Sequence, residues 1–268
     1  MQAFTAPQGH TLHYDRRGSG PPVLLIMGFA TPGSAWMGQV DGLSSDHEVI
    51  WFNNRGVGGS GSSPGSWTMA DFAADALALL DHLGHQTAHV VGQSMGGMIA
   101  QHVALEAPHR VRTLSLFATH PGGPGAARPP LAAWPWLLLS GASARRLRVA
   151  AMSRLLFPAA VRAQAGFDVI RADLDRDYGP AQPKATVARQ LQAMRGHDTR
   201  ARLAELGSRP VLVMQPGQDI LIAPRHSEVL HAAIAGSELL RLPEAGHGAI
   251  RQCAGLVNAA LRGVFRRG

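Results

Sequence analysis

One short segment carries the strongest chemical signal in the sequence. Residues 89–100 run from an apolar stretch through Gly92-Gln93-Ser94-Met95-Gly96 into a helical pattern. A sharp turn from strand to helix would hold Ser94 in strained backbone angles and lift its hydroxyl above the edge of a sheet. The two glycines let strand and helix approach closely, and the N–H groups of the helix start favour negative charge near Ser94. The pattern predicts a nucleophilic serine; a serine that only caps the helix is the alternative.

The elements that must position this serine follow a regular order. Short apolar runs alternate with helical patterns, which is typical of a mostly parallel sheet covered by helices on both faces, an α/β fold. The first strand is expected to be antiparallel. The predicted strands cover residues 11–16, 23–27, 49–52, 89–91, 114–117, 211–214 and 238–242, and the predicted helices cover the stretch between a Thr68 cap and Gly84, then 95–106, 223–235 and 249–265.

This order breaks between residues 120 and 202. The stretch opens with prolines and glycines and holds apolar and basic helical segments without a convincing strand. A loop of that length without secondary structure would be unusual in a compact domain. The sequence therefore predicts that residues 120–202, called the cap segment below, form a helical insertion in a core made of residues 1–119 and 203–268.

With these features together, the sequence resembles the α/β-hydrolase superfamily over nearly its whole length apart from the cap segment. Within that superfamily it most resembles small bacterial serine esterases of the carboxylesterase and methyl esterase type. A serine hydroxyl is a poor nucleophile until a base removes its proton and a third group holds the base. The superfamily order is serine, acid, histidine, which implies Asp219 as the acid and His247 as the base for Ser94. Both follow predicted strands, and the carboxyl ends of parallel strands are where open α/β sheets carry their sites.

Other carboxylates fit the acid role less well. In some relatives the acid follows the strand that ends here near Ala118, but Thr119 and His120 offer no carboxylate. Glu244 lies in the same predicted tight turn as His247, which is too close for the favoured partner.

The resemblance also implies two donors for the charged oxygen of a tetrahedral intermediate. One is the backbone N–H of Met95, and the other is the N–H of Phe29 in the loop after the strand at residues 23–27. Relatives usually begin this loop with His-Gly, whereas this chain has Met27-Gly28. The departure removes a side chain that braces the loop but leaves the donor in place.

Substrate contacts are expected from Gly28 and from Trp134 and Trp136 of the cap segment. The apolar run at residues 131–139 suits a hydrophobic acyl or alkyl group and would exclude water. Nearby arginines are either solvated helix faces or a surface that steers an acidic partner, such as an acyl carrier protein. These arginines are Arg145, Arg146, Arg148, Arg154 and Arg162.

Composition argues against several other classes. The net charge of +7 is almost all arginine, since Lys184 is the only lysine, and no continuous basic stripe suggests nucleic-acid binding. No apolar run approaches the roughly 18 residues of a membrane span. The start lacks the pattern of a secretory signal, so we expect a cytoplasmic protein without membrane contact. Cys253 is the only cysteine, and the histidines form no ligand pair backed by a third ligand, so no metal is expected.

One glycine pattern imitates a dinucleotide site. Residues 56–61 match Gly-x-Gly-x-x-Gly after a strand, but Pro64 interrupts the helix that such a site requires. No cofactor is therefore expected.

The sequence thus predicts an enzyme that hydrolyses a carboxylic ester or thioester of a small to medium hydrophobic substrate through an acyl-Ser94 intermediate. Haloalkane or epoxide opening normally requires an aspartate nucleophile in this fold. Hydrolysis of a lactone or of a carbon–carbon bond uses the same triad and stays open, as does a non-catalytic ligand receptor on this scaffold.

Overall fold

Eight strands form one sheet in the computed structural model, which describes residues 1–124, 126, 128–142, 144–178 and 181–268, the side chains of Phe167, Arg176, Asp177 and Tyr178 excepted. The strands are β1 (Gln2–Thr5), β2 (Thr11–Arg17), β3 (Pro22–Ile26), β4 (Glu48–Phe52), β5 (Ala88–Gln93), β6 (Val111–Phe117), β7 (Val211–Pro216) and β8 (Glu238–Leu242). Their order is β1-β2-β4-β3-β5-β6-β7-β8. The β1–β2 and β2–β4 pairs are antiparallel and the others are parallel, so the predicted α/β sheet is confirmed.

The central strands are apolar because helices cover both of their faces. All six residues of β5 are buried, and alternate residues of β3 face opposite sides of the sheet. Leu24 and Ile26 pack with two long helices on one face, whereas Val23 and Leu25 pack with the C-terminal helix on the other. This two-residue alternation follows from the pleat of a strand.

The described residues form eleven α-helices and four short 3-10 helices. The pair α2 and α3 covers one face of the sheet, and α1 with α11 covers the other. The α-helices are α1 (Met37–Leu43), α2 (Met69–His82), α3 (Met95–Glu106), α4 (Trp134–Ser140), α5 (Arg145–Leu156), α6 (Ala159–Ala165), α7 (Phe167–Tyr178), α8 (Lys184–Arg195), α9 (Arg225–Ala233), α10 (Ala249–Gln252) and α11 (Ala254–Phe265).

Local sequence patterns predicted the start of α2 correctly and the C-terminal helix incorrectly. The predicted Thr68 cap is present, because Thr68 and Asp71 form a reciprocal capping box at the start of α2. The single helix predicted over residues 249–265 is wrong, since Cys253 leaves helical geometry and separates α10 from α11. The side chain of Gln252, at the end of α10, bonds to the N–H of Gly246 and the carbonyl of Glu244. The short helix is thereby tied to the loop before it.

The cap segment leaves the core after β6 and returns before β7. It holds α4 to α8, and five of its positions, 125, 127, 143, 179 and 180, lie outside the described residues. An isolated bridge between Gly122 and Asp198 and a 2.8 Å hydrogen bond from the Thr199 N–H to the Pro121 carbonyl join its two ends. Five apolar residues give it a small core of its own: Val149, Leu156, Phe157, Ile170 and Leu174.

Within the described residues, no helix has the length and apolar character that a bilayer crossing requires.

A buried ion pair fixes the loop after β4 against α2. The Nε of Arg55 donates to Asp75 at 2.7 Å, and both residues are at most 1% exposed. His10 contacts the same carboxylate oxygen at 3.2 Å. The Nη1 of Arg55 donates to both the Gln8 and the Ser63 side chains. The loop that begins beside the sheet edge is thus held by charge as well as by apolar packing.

Removing one partner of this pair should be costly. We expect Arg55→Met to lower the free energy of unfolding by about 3–5 kcal/mol, because Asp75 would stay buried without its counter-charge. Arg17→Met is the control, since Arg17 pairs with Asp41 on the exposed surface and should lose less than about 1 kcal/mol. Urea unfolding of both variants measures the difference, and equal losses would contradict it.

Candidate active site

Ser94 occupies a strained turn between β5 and α3. Its φ and ψ angles are 57° and −123°, a conformation rarely adopted by residues other than glycine. The Ser94 N–H donates to the Phe117 carbonyl at 2.9 Å, and the Ser94 carbonyl accepts from the Thr119 hydroxyl at 2.8 Å. Ser94 is partly exposed between buried neighbours. The sequence-predicted elbow is therefore present, and its serine is the accessible residue within it.

Two glycines make this turn possible by leaving no room for a side chain. A Cβ at Gly92 would lie 2.1 Å from the Gly96 carbonyl oxygen, and one at Gly96 would lie 2.0 Å from the Ile26 carbonyl oxygen. Gly28 faces Ser94 from the end of the neighbouring strand, because a Cβ there would lie 3.0 Å from Ser94 Cβ and 3.5 Å from Ser94 Oγ. Gly28 thus adjoins Ser94, as its expected role as a substrate contact requires.

Asp219 and His247 meet at the carboxyl ends of β7 and β8. The Nδ1 of His247 lies 2.7 Å from an Asp219 carboxylate oxygen, and the two side chains are 6% and 0% exposed. The other oxygen accepts the N–H groups of Leu221 and Ile222 at 2.8 and 2.9 Å. A carboxylate so placed accepts a hydrogen bond from Nδ1–H of His247, which leaves Nε2 as the nitrogen with a free lone pair.

The loop of His247 is also tied to the elbow. Gln93, which precedes Ser94, donates its amide to the His247 carbonyl at 2.7 Å. Glu244, the rival carboxylate, is exposed and accepts from Gln218 at 2.7 Å. The structure thus brings Asp219, and not Glu244, to the imidazole.

The loop after β3 is braced by residues that the sequence did not single out. Asn54 donates to the Met27 carbonyl at 2.8 Å, and the Ala30 N–H donates to Gln190 Oε1 of α8 at 2.8 Å. Asn54 and Gln190 are both almost fully buried. These two amides hold the loop that begins with Met27. At the position of Met27, the relatives that the sequence resembles usually have a histidine. Gln190 belongs to the cap segment, so no local pattern pointed to it.

Two backbone donors remain free at this loop and at the elbow. Within the described part of the chain, neither the Phe29 N–H nor the Met95 N–H donates to a protein acceptor. Met95 begins α3, where N–H groups have no intrahelical partner. The oxygen atom of a carbonyl group bound at Ser94 Oγ could therefore accept hydrogen bonds from these two N–H groups.

A cavity of about 440 Å³ lies between the cap segment and the loop that carries Asp219. Trp136 lines it, whereas Trp134 is 47% exposed and is absent from its lining. The two tryptophans that the sequence grouped as substrate contacts therefore occupy different surroundings.

The comparisons with known proteins agree with this architecture. The model of a family described as the alpha/beta hydrolase fold matches residues 21–250. The chain belongs to the α/β hydrolase fold family.

Several known proteins resemble this α/β hydrolase over most of its length. A protein named as a carbamate hydrolase, RutD, from Azorhizobium caulinodans is 28% identical over 236 residues, or 88% of each chain. A hydrolase from Pseudomonas aeruginosa PA01 has a TM-score of 0.84 at 29% identity, covering 100% of this chain and 98% of that one. A thermophilic esterase from Thermogutta terrifontis, solved with malate bound, has a TM-score of 0.81 at 27% identity, covering 99% and 98%. The general class of the chain is thus hydrolase.

Among the described residues of the α/β hydrolase, no group of three or more His, Cys, Asp or Glu side chains is arranged to hold a metal ion.

Four histidines form a chain of ring contacts behind α3. His102 of α3 lies 3.3 Å from His197 between Nε2 and Nδ1, and His120 lies between His197 and His226 with ring centroids 5.7 and 5.6 Å apart. Burial, with the neighbouring His197 and His226, lowers the pKa of His120 to about 3. Burial lowers the pKa of His197 to about 4, although its bond to the His120 carbonyl and the nearby Asp198 act in the opposite direction.

These neutral histidines predict loss of stability in acid. In the unfolded chain both imidazoles take up protons near pH 6.5. In the folded α/β hydrolase, His197 stays neutral down to about pH 4 and His120 down to about pH 3. The unfolded state therefore binds more protons below pH 6.5. We expect the free energy of unfolding contributed by His120 and His197 to be fully present above pH 6.5 and to fall as the pH drops toward 4. Urea unfolding at a series of pH values measures it.

A variant separates this effect from the titration of carboxylates. His120→Gln removes one of the two groups and should make the acid decline shallower than in the wild type. His109→Gln, on the exposed surface, should leave the decline unchanged. A decline equally steep in all three proteins would refute the assignment.

Proposed function

We propose that the protein hydrolyses a carboxylic ester or thioester of a small to medium hydrophobic substrate through an acyl-Ser94 intermediate. The observation that carries the proposal is the 2.7 Å contact of buried Asp219 with His247, on a loop that Gln93 ties to the strained Ser94 turn. A nucleophilic triad consists of a hydroxyl at such a turn, a histidine base whose Nδ1 is held in place, and a carboxylate that holds it. Here the Asp219 carboxylate accepts hydrogen bonds from His247 and from two backbone N–H groups.

The proposed reaction has two halves. The Nε2 of His247 takes the Ser94 proton as Oγ bonds to the substrate carbonyl carbon. Collapse of the tetrahedral intermediate breaks the bond to the alkoxide or thiolate, which leaves with the proton from His247. Water then repeats the sequence on the acyl-serine, with His247 as base again, and releases the acid and free Ser94.

Charge on the carbonyl oxygen would be stabilised by the N–H groups of Phe29 and Met95. Each such donor is worth roughly 3 kcal/mol of barrier, provided that it is aimed before the reaction begins. The Asn54 and Gln190 contacts support this role because they fix the loop of Phe29 on both sides. These amides supply the bracing that the change from histidine to Met27 would otherwise remove.

The names of the relatives are compatible with attack on a carbonyl. The Thermogutta protein is called an esterase and the Azorhizobium protein a carbamate hydrolase. Both descriptions fit acyl transfer to water. An ester or thioester therefore remains our preferred substrate over a carbon–carbon bond, and turnover over simple ligand reception.

The basic cap segment favours a small-molecule substrate over an acyl carrier protein. Arg145 pairs with Asp175 at 2.7 Å, and Arg148 donates to the Ala142 carbonyl at 3.3 Å. Arginines engaged within the cap segment are less available to dock an acidic partner. We propose that they mainly stabilise the cap segment.

A fluorophosphonate should label the protein at Ser94. Peptide mapping by mass spectrometry should find the adduct there, and Ser94→Ala should abolish both labelling and hydrolysis of a panel of p-nitrophenyl esters. Ser45→Ala, at an exposed serine, is the matched control and should behave as wild type. An adduct that persists at another serine in Ser94→Ala would overturn the assignment of the nucleophile.

Exchange of carboxylate for amide should separate the two candidate acids. Asp219→Asn is expected to lower kcat by about 10⁴-fold with the fold intact, because His247 would lose the anion that orients it. Glu244→Gln makes the same chemical change at an exposed site that contacts Gln218, so its kcat should stay close to wild type. Steady-state kinetics with circular dichroism as a folding control measures both, and a larger loss in Glu244→Gln would show that the acid is misassigned.

A further inference from the structure

The cavity between the cap segment and the β7 loop has a chemistry that ester hydrolysis does not use. Two arginines line it, Arg154 from α5 and Arg162 from α6, together with Trp136. The core contributes residues 217–220 and Gly246. Its volume of about 440 Å³ lies within the range of small-molecule sites.

In the part of the chain that the structure describes, the two guanidinium groups meet no carboxylate. Among the described residues, neither Arg154 nor Arg162 takes part in an ion pair, and both side chains are only partly exposed. Burial and the neighbouring charge of Arg154 lower the pKa of Arg162. Like charges held together in a half-buried space favour an anion between them.

Both groups are also oriented in advance. The guanidinium carbon of Arg154 lies 4.4 Å from the centre of the Trp136 ring, a cation–π contact. The Nε of Arg162 donates to the Phe157 carbonyl at 3.2 Å, which leaves its two terminal nitrogens for another acceptor. Guanidinium groups held in this way suit paired hydrogen bonds to a carboxylate or phosphate.

The acid that shares the lining does not neutralise them. The carboxylate of Asp219 is fully buried and bonded to His247, Leu221 and Ile222. The side chain of Gln218 is engaged by Glu244. The uncompensated charge that faces the cavity is therefore positive.

We propose that this cavity is a binding site for the anionic group of a small molecule, a carboxylate or a phosphate, held by Arg154 and Arg162. The site adjoins the loop of Asp219 without using its carboxylate. Anion binding at this cavity does not require an active nucleophile, so it can be tested independently of ester hydrolysis.

Trp136 supplies an optical reporter for the test. Ser94→Ala protein is titrated with inorganic phosphate and, separately, with succinate, while tryptophan fluorescence is followed at constant ionic strength against sodium chloride. We expect saturable binding of at least one of the two anions, and the tighter one identifies the preferred group. Arg154→Gln and Arg162→Gln should each raise Kd at least tenfold, and Trp136→Phe should remove most of the signal.

A matched control and a second measurement keep the outcome clear. Arg146→Gln removes an exposed arginine of the same helix that is absent from the cavity lining, and its Kd should stay within twofold of wild type. Isothermal titration calorimetry repeats the comparison without the fluorescence signal, and Arg154→Lys replaces Arg154→Gln if that variant does not fold. Binding weakened equally by Arg146→Gln, or no saturation by either anion beyond the chloride control, would overturn the proposal.

Discussion

The close approach of β3, β5 and α3 at the elbow is the constraint on which the rest of the site depends. With Cβ positions of Gly92 and Gly96 only 2.1 and 2.0 Å from backbone oxygens, any larger residue would force the helix away from the sheet. The start of α3 would then no longer lie beside the loop after β3. Ser94 and the N–H groups of Phe29 and Met95 are thus positioned by one packing contact, because both strand ends and the helix start meet there.

Backbone strain is concentrated at the same edge of the sheet. In the described part of the chain, the non-glycine residues with positive φ are Ala30, Ser94 and Ala118, which follow β3, β5 and β6. Each is held by a hydrogen bond from its N–H, to Gln190, Phe117 and Met214 respectively. Strained conformations of this kind persist only where the surroundings impose them. The parallel strands and α8 supply those surroundings. The strained residues therefore lie at the same edge of the sheet as Asp219 and His247.

Features set by residues that are close together in the sequence were easier to predict than contacts between distant residues. The elbow was predictable because its glycines, serine and helix start lie within residues 89–100. Asp219 and His247 could be paired because the order of the superfamily that the sequence resembles implied them and each follows a strand, and the 2.7 Å contact agrees with that pairing. Gln190 could not be found, since its partner Ala30 lies 160 positions away and no pattern marks a buried amide on a polar helix. The break at Cys253 was missed because apolar periodicity continues through it.

The cap segment helps to hold the core loops that surround Ser94. It contacts three loops of the core: Gln190 accepts from Ala30, the Leu156 carbonyl accepts from Gly248 at 2.8 Å, and Thr186 donates to the Gly56 carbonyl at 3.2 Å. One of these loops carries Phe29, another follows His247, and the third follows β4. A movement of the cap segment away from the core would therefore break bonds to the loops that position both His247 and the N–H of Phe29. The geometry around Ser94 and His247 is thus coupled to the position of the cap segment through these three hydrogen bonds, because each of them joins a cap residue to a loop at the same edge of the sheet.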